Sequence, residues 1–460
     1  MQRIIYSFIV DSAPIFAYQG HILACSVIEI CNANPSDIYV HCSGEVHDNI
    51  RKIFIDLGVN VLNFEPFGDR KYCNKLVQLP ALEKLDFDIV VLLDTDTIFI
   101  EDMSDAFSND VIYGKVVDAS NPSLECLASI FKDAEIEPPV IVPVDTGEGQ
   151  TFVGNFNGGF YVIPKKFAAK LGSEWKKWAQ FLLSDNQHLA REGKTNHVDQ
   201  VSFAMACASL KLPTRCIATN YNYFTHFEAQ KGYFDPQLPI YMLHYHNDGL
   251  NVLGLIEKSQ VTEKAAIDAI DKANSIISKQ FNNVLFWNFR YACFPERGSG
   301  VGSRDENATF KSQLLVEQGI EFASSILDVG CGDLEVIKTL DLRGYLGLDS
   351  SPTALEIARV KRPDLTFGLS QQADWPSKEF VLCLEVAIHQ TNYDDYYKLI
   401  KRVTDATEKT LIISGYDTKT PHHMVYFYEP ISETLEKMEK FSSIKKIGSH
   451  TDVVIYRCDV

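Results

Sequence analysis

The feature that most constrains this chain is a pair of strongly apolar, strand-like runs that lead into acids. Asp88–Leu93 (DIVVLL) leads into Asp94-Thr95-Asp96, and Ile326–Asp333 (ILDVGCGD) turns through two glycines into Asp333. Apolar runs without alternation fit strands buried on both faces, as in the middle of a parallel sheet. Each lies in its own strand–helix alternation. In the first, Ile4–Val10, Asp37–Cys42, Val59–Phe64 and Gly159–Ile163 read as strands, and His21–Asn32, Lys75–Leu85 and Phe167–Leu183 as helices. In the second, Ile326–Val329, Gly344–Leu348, Phe380–Leu384 and Thr410–Ser414 read as strands. Two such alternations predict an α/β protein of two domains, each a Rossmann-like sheet with helices on both faces.

Three segments interrupt the pattern. Asp118–Gly149, with Pro138, Pro139 and Pro143, reads as an irregular excursion over a site. Ile256–Lys279 reads as a charged amphipathic helix, and Phe294–Arg304 (FPERGSGVGSR) as a glycine- and serine-rich boundary. The predicted organisation is a first domain over 1–255, a helical linker over 256–295 and a second domain over 296–460.

Composition excludes several functions. The formal charge is -18; residues 1–295 carry 24 basic and 35 acidic side chains and residues 296–460 carry 19 and 26. With both parts acidic and no Lys/Arg-rich run, the charge disfavours nucleic acid as the main partner, because phosphate binding needs a basic face, and leaves room for a local basic pocket. Arg3–Val10 is stopped by Asp11 and lacks a small-residue cleavage pattern, so it reads as a buried first strand and not a signal peptide. No apolar run approaches the ~20 residues a membrane helix needs. The 11 cysteines form no CxxC pair and read as reduced core thiols of a cytoplasmic protein. Peripheral attachment at an inner membrane and a homo-oligomer are both compatible with this reading.

Asp94 and Asp96, two residues apart past a buried strand, can share a hard divalent cation such as Mg²⁺ or Mn²⁺, which binds carboxylates together with a substrate's phosphates. A solvated loop with capping aspartates is the plain alternative. Other residues are ordered around this pair. Asn74-Lys75-Leu76 precede it; Asn157-Gly158-Gly159-Phe160, Asp199-Gln200 and His246-Asn247-Asp248-Gly249 follow. With these motifs the first ~250 residues resemble GT-A-fold glycosyltransferases, in particular the glycogenin-like, family 8-type retaining group.

The resemblance implies a nucleotide-sugar donor and a glycan acceptor. It implies that Asp94, Asp96 and His246 hold Mn²⁺ or Mg²⁺, with His244 competing for the third place. It also implies that Lys75 reaches donor phosphate or sugar, that Asn157 and Gly158 line the sugar pocket, and that Asp199 and Gln200 lie near the reacting carbon. Gly158 stands where the family has Ser, and the family's Lys-Pro-Trp after the late glycine is absent. Each residue has a plainer reading: a surface lysine, a turn, a helix cap, a satisfied histidine.

In the second half, glycines after Asp328 let the backbone approach a ligand closely, and Asp349, at the end of the next strand, can bind a ribose diol. The third glycine of a dinucleotide fingerprint is absent. With Asp328–Gly332, Asp349, Ala373-Asp374-Trp375 and Leu384–His389 (LEVAIH), the last ~160 residues resemble class I S-adenosylmethionine-dependent methyltransferases. The resemblance implies that Asp328, Gly330 and Gly332 pass under the methionine part of S-adenosylmethionine. Asp349 would then bind its ribose, with Asp374 and Trp375 at its adenine. Gly298–Ser303 resembles a lead-in of some bacterial members that folds over the cofactor. His389 is the candidate general base, against a structural histidine bonded to Glu385; His422 and His423 are weaker acceptor contacts.

The combined expectation is a bifunctional enzyme that adds a sugar and O-methylates a sugar of the same glycan, in the setting of bacterial surface polysaccharide. Three alternatives stay open: a glycan-binding module on an inactive transferase fold, a nucleotidyltransferase, and a methyltransferase acting on protein or RNA.

Overall fold

The structure is a computed structural model that describes residues 2–184, 187–226, 232–258, 260–371, 375–419 and 423–460. The chain forms two compact units. The first comprises Met1–Asn251 and Leu255–Gln280, the second Val252–Gly254 and Phe281–Val460. The helix Lys264–Lys279 is therefore in the first unit and the helix Asn283–Cys293 in the second.

The strands of the first unit are β1 (Ile4–Val10), β2 (Ile38–Ser43), β3 (Asn60–Phe64), β4 (Ile89–Leu93), β5 (Thr97–Phe99), β6 (Ile112–Val116), β7 (Ile141–Pro143), β8 (Gln150–Phe152), β9 (Phe156–Pro164), β10 (Thr214–Cys216), β11 (Tyr223–Phe224) and β12 (Met242–His244). The main sheet runs β10-β6-β9-β4-β1-β2-β3. β4, β1, β2 and β3 are parallel neighbours, and β9 runs antiparallel to β4 and β6. All five residues of β4 are buried, as an unalternating apolar run requires of a central strand. Helix Lys165–Ser184 buries Ala168, Leu171, Trp175, Ala179 and Leu182, three or four residues apart, so one face packs on the core. Truncating a side chain as large and buried as Trp175 costs ~3–5 kcal/mol.

The excursion over 118–149 is more ordered than its prolines imply. It contains the helix Leu124–Asp133, capped by Ser123, and β7, which pairs with β8. The apolar residues Leu127, Ile130 and Phe131 anchor that helix in the core. Lys75–Leu85 is likewise not one helix but a 3₁₀ turn, Tyr72–Val77, followed by the short helix Gln78–Leu82.

The second unit contains β13 (Ile326–Val329), β14 (Tyr345–Asp349), β15 (Thr366–Leu369), β16 (Lys378–Cys383), β17 (Thr407–Gly415), β18 (Ser443–His450) and β19 (Val453–Asp459). Their order is β15-β14-β13-β16-β17-β19-β18, with β15 to β17 parallel and β19 antiparallel to both neighbours. Apolar clusters lie around Leu355, Leu382 and Ile412 and around Val381, Ile400 and Leu411. Both units are thus α/β. The strand order of the second reverses between β13 and β16, the switch point where such sheets bind ligands beyond the strands' carboxyl ends. No helix among the described residues is long and apolar enough to cross a membrane. The cysteines are free thiols, and all but Cys216 and Cys293 are buried.

Candidate active sites

In the first unit, β4 ends beside β9, and the Asp94 amide donates to the Gly159 carbonyl at 3.2 Å. The chain turns through Thr95 and Asp96 into β5, which pairs antiparallel with β12 so that His244 lies opposite Thr97. The Tyr245 amide donates to the Asp96 carbonyl at 3.0 Å, tying the acidic turn to the strand that carries the histidines.

Two polar groups result. In one, the buried Lys75 Nζ lies 2.6 Å from Asp94 Oδ1 and 3.9 Å from Asp199 Oδ2, and donates to the Gly158 carbonyl. Burial works against the Lys75 ammonium, but Asp94 and Asp199 outweigh it and raise its pKa. Burial pushes the Asp199 carboxyl up to about 7 despite Lys75, and its Oδ1 has no hydrogen-bond partner among the described residues. A Cβ on Gly158 would lie 2.8 Å from Lys75 Nζ, 3.2 Å from Asp199 Oδ2 and 3.4 Å from Gln200 Nε2. The space a serine side chain would fill is thus taken by the three polar groups. Asn157 Oδ1 accepts from the Gly159 amide and from Asn222 Nδ2, which fixes the turn.

In the other group, His244 Nε2 lies 3.3 Å from Asp96 Oδ1, and the His244 and His246 rings stack with centroids 4.0 Å apart. One ligand atom from each of Asp96, His244 and His246 falls within 4.8 Å of the others, close enough to share a cation. Burial, reinforced by His244, pushes the His246 imidazole down to about 2, so it is the neutral form that metals bind. Asp94, paired with Lys75, is not part of this trio. Gly159 makes room for the arrangement, since a Cβ there would lie 2.5 Å from His244 Cε1.

Sequence reasoning missed two neighbours. His226 packs edge-on against His246 at 4.1 Å, and the fully buried Lys115 pairs with Asp145 at 3.0 Å while facing the Phe224 ring. Three histidines after the strand-like Tyr223-Phe224 were the available signal for the first; nothing local marks Lys115.

In the second unit a cavity of about 490 Å³ opens at the ends of β13, β14 and β16, and Asp328, Gly330, Asp349, Trp375, Glu385 and His389 line it. Gly330 and Gly332 have φ of 76° and 54°. A Cβ on Gly330 would lie 2.2 Å from Val386 Cγ2. Asp349 Oδ2 accepts from the Gly332 amide at 3.0 Å and Oδ1 from the Ser351 amide at 2.8 Å, and the Ser350 amide also stabilises the carboxylate. Burial pushes Asp349 up to about 6 and Asp328 up to about 7; Tyr345 Oη donates to Asp328 at 2.8 Å. No helix follows β13 directly; Leu334 takes φ of 65° there. Asp333, just before it, is held by Arg304, Ser299 and Lys361. These bonds also hold the Gly298–Ser303 segment against the cavity rim.

Trp375 donates to the Ser370 carbonyl at 3.1 Å, and the Arg402 guanidinium covers its ring at 3.8 Å. His389 Nδ1 lies 2.8 Å from the Met424 carbonyl, which can only accept, so Nδ1 carries the proton and Nε2 the lone pair. Burial lowers the His389 pKa and keeps the ring neutral. Glu385 is not its partner; its Oε1 lies 2.6 Å from both Lys311 Nζ and His450 Nε2. Asp374 and His422 lie outside the described residues.

Residues 7–211 match the model of a Rhodobacterales glycosyltransferase domain. No curated protein matches the chain. Among solved structures, mouse xyloside xylosyltransferase 1 is similar at 12% identity and a TM-score of 0.34, covering 53% of this chain and 98% of that one. A magnesium protoporphyrin IX methyltransferase from Synechocystis shares 17% identity at a TM-score of 0.29, covering 34% and 82%. The N-methyltransferase NodS from Bradyrhizobium japonicum shares 13% at 0.30, covering 36% and 92%.

Proposed function

We propose that the first unit transfers a sugar from a nucleotide-sugar donor to a glycan and that the second O-methylates a sugar of that glycan, in bacterial surface polysaccharide assembly. The observation that carries the first half is the meeting of Lys75, Asp94, Asp96, His244, His246 and Asp199 at the end of one central strand, within a segment matching a glycosyltransferase model.

A divalent cation, when bound, supplies Lewis-acid neutralisation of the departing diphosphate. The Asp96 carboxylate and the His244 and His246 imidazoles, each with a ligand atom within 4.8 Å of the others, fit such an ion. Lys75 adds a second positive charge for the leaving group, and Asn157 and Gly158 border the sugar. Asp199 and Gln200 face the reacting carbon. With a pKa near 7, Asp199 is ionised in part of the population at neutral pH and serves as nucleophile or oxocarbenium stabiliser in that form.

S-adenosylmethionine, when bound, supplies the electrophilic methyl group. Asp349 accepts from the ribose diol, Gly330 and Gly332 admit the chain under the methionine part, and Trp375 borders the adenine. His389 Nε2 takes the proton from the acceptor hydroxyl, and positioning does the rest.

Binding tests the two halves separately. Titration of the full chain with UDP or GDP plus Mn²⁺, and with S-adenosylhomocysteine, is expected to show both ligands bound. The pair Asp94→Asn/Asp96→Asn should abolish only metal-dependent nucleotide binding, and Asp349→Asn should weaken only S-adenosylhomocysteine binding. Loss of both in either variant would refute two independent sites.

A further inference from the structure

An acidic pair two residues apart, read alone, asks for a hard cation held by oxygen. The folded chain presents a different donor set. Lys75 Nζ sits 2.6 Å from Asp94 Oδ1, so the first carboxylate already has a cationic partner. The second, Asp96, instead faces two imidazoles, with His244 Nε2 at 3.3 Å and all three ligand atoms mutually within 4.8 Å.

Several features of the histidines point to a ligand. His244 is 2% exposed, and His244 Nδ1 and His246 Nε2 are buried without hydrogen-bond partners among the described residues. The two rings stack at 4.0 Å with planes 27° apart, which sets them side by side next to Asp96. His246 is held at φ 56°, ψ 168°, a region nearly closed to residues with side chains, and such strain persists where the surroundings impose it. Those surroundings are aromatic: Phe224 packs against both rings at 5.3 Å, and His226 against His246 at 4.1 Å.

We infer that Asp96, His244 and His246 form a two-imidazole, one-carboxylate centre that selects a borderline first-row cation such as Co²⁺ or Zn²⁺ over Mg²⁺. Imidazole suits such ions. Mg²⁺ prefers oxygen, demands near-octahedral geometry and gives up water reluctantly. The centre is part of the site proposed for sugar transfer, and its metal preference rests on that site's location but not on its turnover.

The test is direct metal binding to the full, tag-free chain. Co²⁺ is titrated and followed by its visible d–d absorption, then Mg²⁺ and Zn²⁺ are added as competitors. Stoichiometric Co²⁺ uptake, displaced by Zn²⁺ and unaffected by millimolar Mg²⁺, is expected. His244→Gln and His246→Gly should each weaken Co²⁺ binding by ~10-fold or more. The glycine variant accepts the positive φ, so its fold is retained, and circular dichroism of both variants checks this. Mg²⁺ competing on equal terms, or Co²⁺ binding untouched in both folded variants, would overturn the inference while leaving metal-dependent sugar transfer intact. Tight, histidine-dependent Co²⁺ binding without donor turnover would uphold the centre and remove the transfer reading.

Discussion

Asp199 should cost the fold stability at neutral and alkaline pH, and replacing it with Asn should return that stability. The side chain is 4% exposed, one oxygen has no partner among the described residues, and Lys75 is 3.9 Å from the other. Burial therefore dominates and moves the carboxyl from 3.8 to about 7. A shift of about three units corresponds to roughly 4 kcal/mol, an upper bound on the penalty, at 1.36 kcal/mol per unit. Because the folded value lies above the unfolded one, this contribution to stability is fully present below pH ~4 and is lost as pH rises through about 7.

Asp199→Asn should thus raise the urea midpoint of the first unit at pH 8 and change it little at pH 4.5. With tryptophans at 175, 178, 287 and 375, a Trp287→Phe/Trp375→Phe background confines the fluorescence to that unit. Sugar transfer should fall in the same variant, the trade expected where a buried charge is kept for chemistry. An Asn variant less stable at pH 8 than at pH 4.5, relative to its parent, would refute the reasoning and make Asp199 a stabilising partner of Lys75.

Other expectations follow from the second unit. Asp349→Asn should weaken S-adenosylhomocysteine binding by ~10- to 100-fold in calorimetry, since a charge-accepting group worth ~1.5–3 kcal/mol per bond is lost. Gly330→Ala, which must place its Cβ 2.2 Å from Val386 at φ 76°, should lower the melting temperature and abolish that binding. Lys311→Met should cost ~1.5–3 kcal/mol at pH 7 by leaving the buried Glu385 carboxylate with His450 alone, and Lys311→Met/Glu385→Gln less. Against burial, His450 and Lys311 hold Glu385 at about 2, so its contribution is present above the unfolded value and lost as pH falls through about 2. The gap between single variant and parent should therefore narrow on acidification in thermal melts.

Much of this was legible in the residues because local pattern and tertiary role agree. Asp88–Leu93 has no alternation to place it at an edge, and it forms the central β4; Ile326–Val329, apolar but for Asp328, forms β13. What was not legible depends on groups distant in sequence. The helix at Leu124–Asp133 was masked by the prolines that follow it, although its apolar spacing was present. β13 runs into turns, where Asp333 is bonded to Arg304, Ser299 and Lys361, groups far from it in sequence. The pairing of β5 with β12 brings His244 to Asp96, and only a register of strands ~145 residues apart, unreadable from periodicity, decides this. The resemblance sets His244 and His246 in competition for one place, whereas the fold brings both histidines to one carboxylate.

The central claim is sugar transfer by the first unit, and nucleotide release tests it most directly. The full chain, incubated with a panel of nucleotide sugars and glycan acceptors under Mn²⁺, Co²⁺ or chelator, is expected to release nucleotide from one donor in a metal-dependent way. Asp94→Asn/Asp96→Asn should abolish that release. Release that persists in chelator and in the folded double variant would contradict the account, and so would none from any donor when metal and nucleotide are shown to bind.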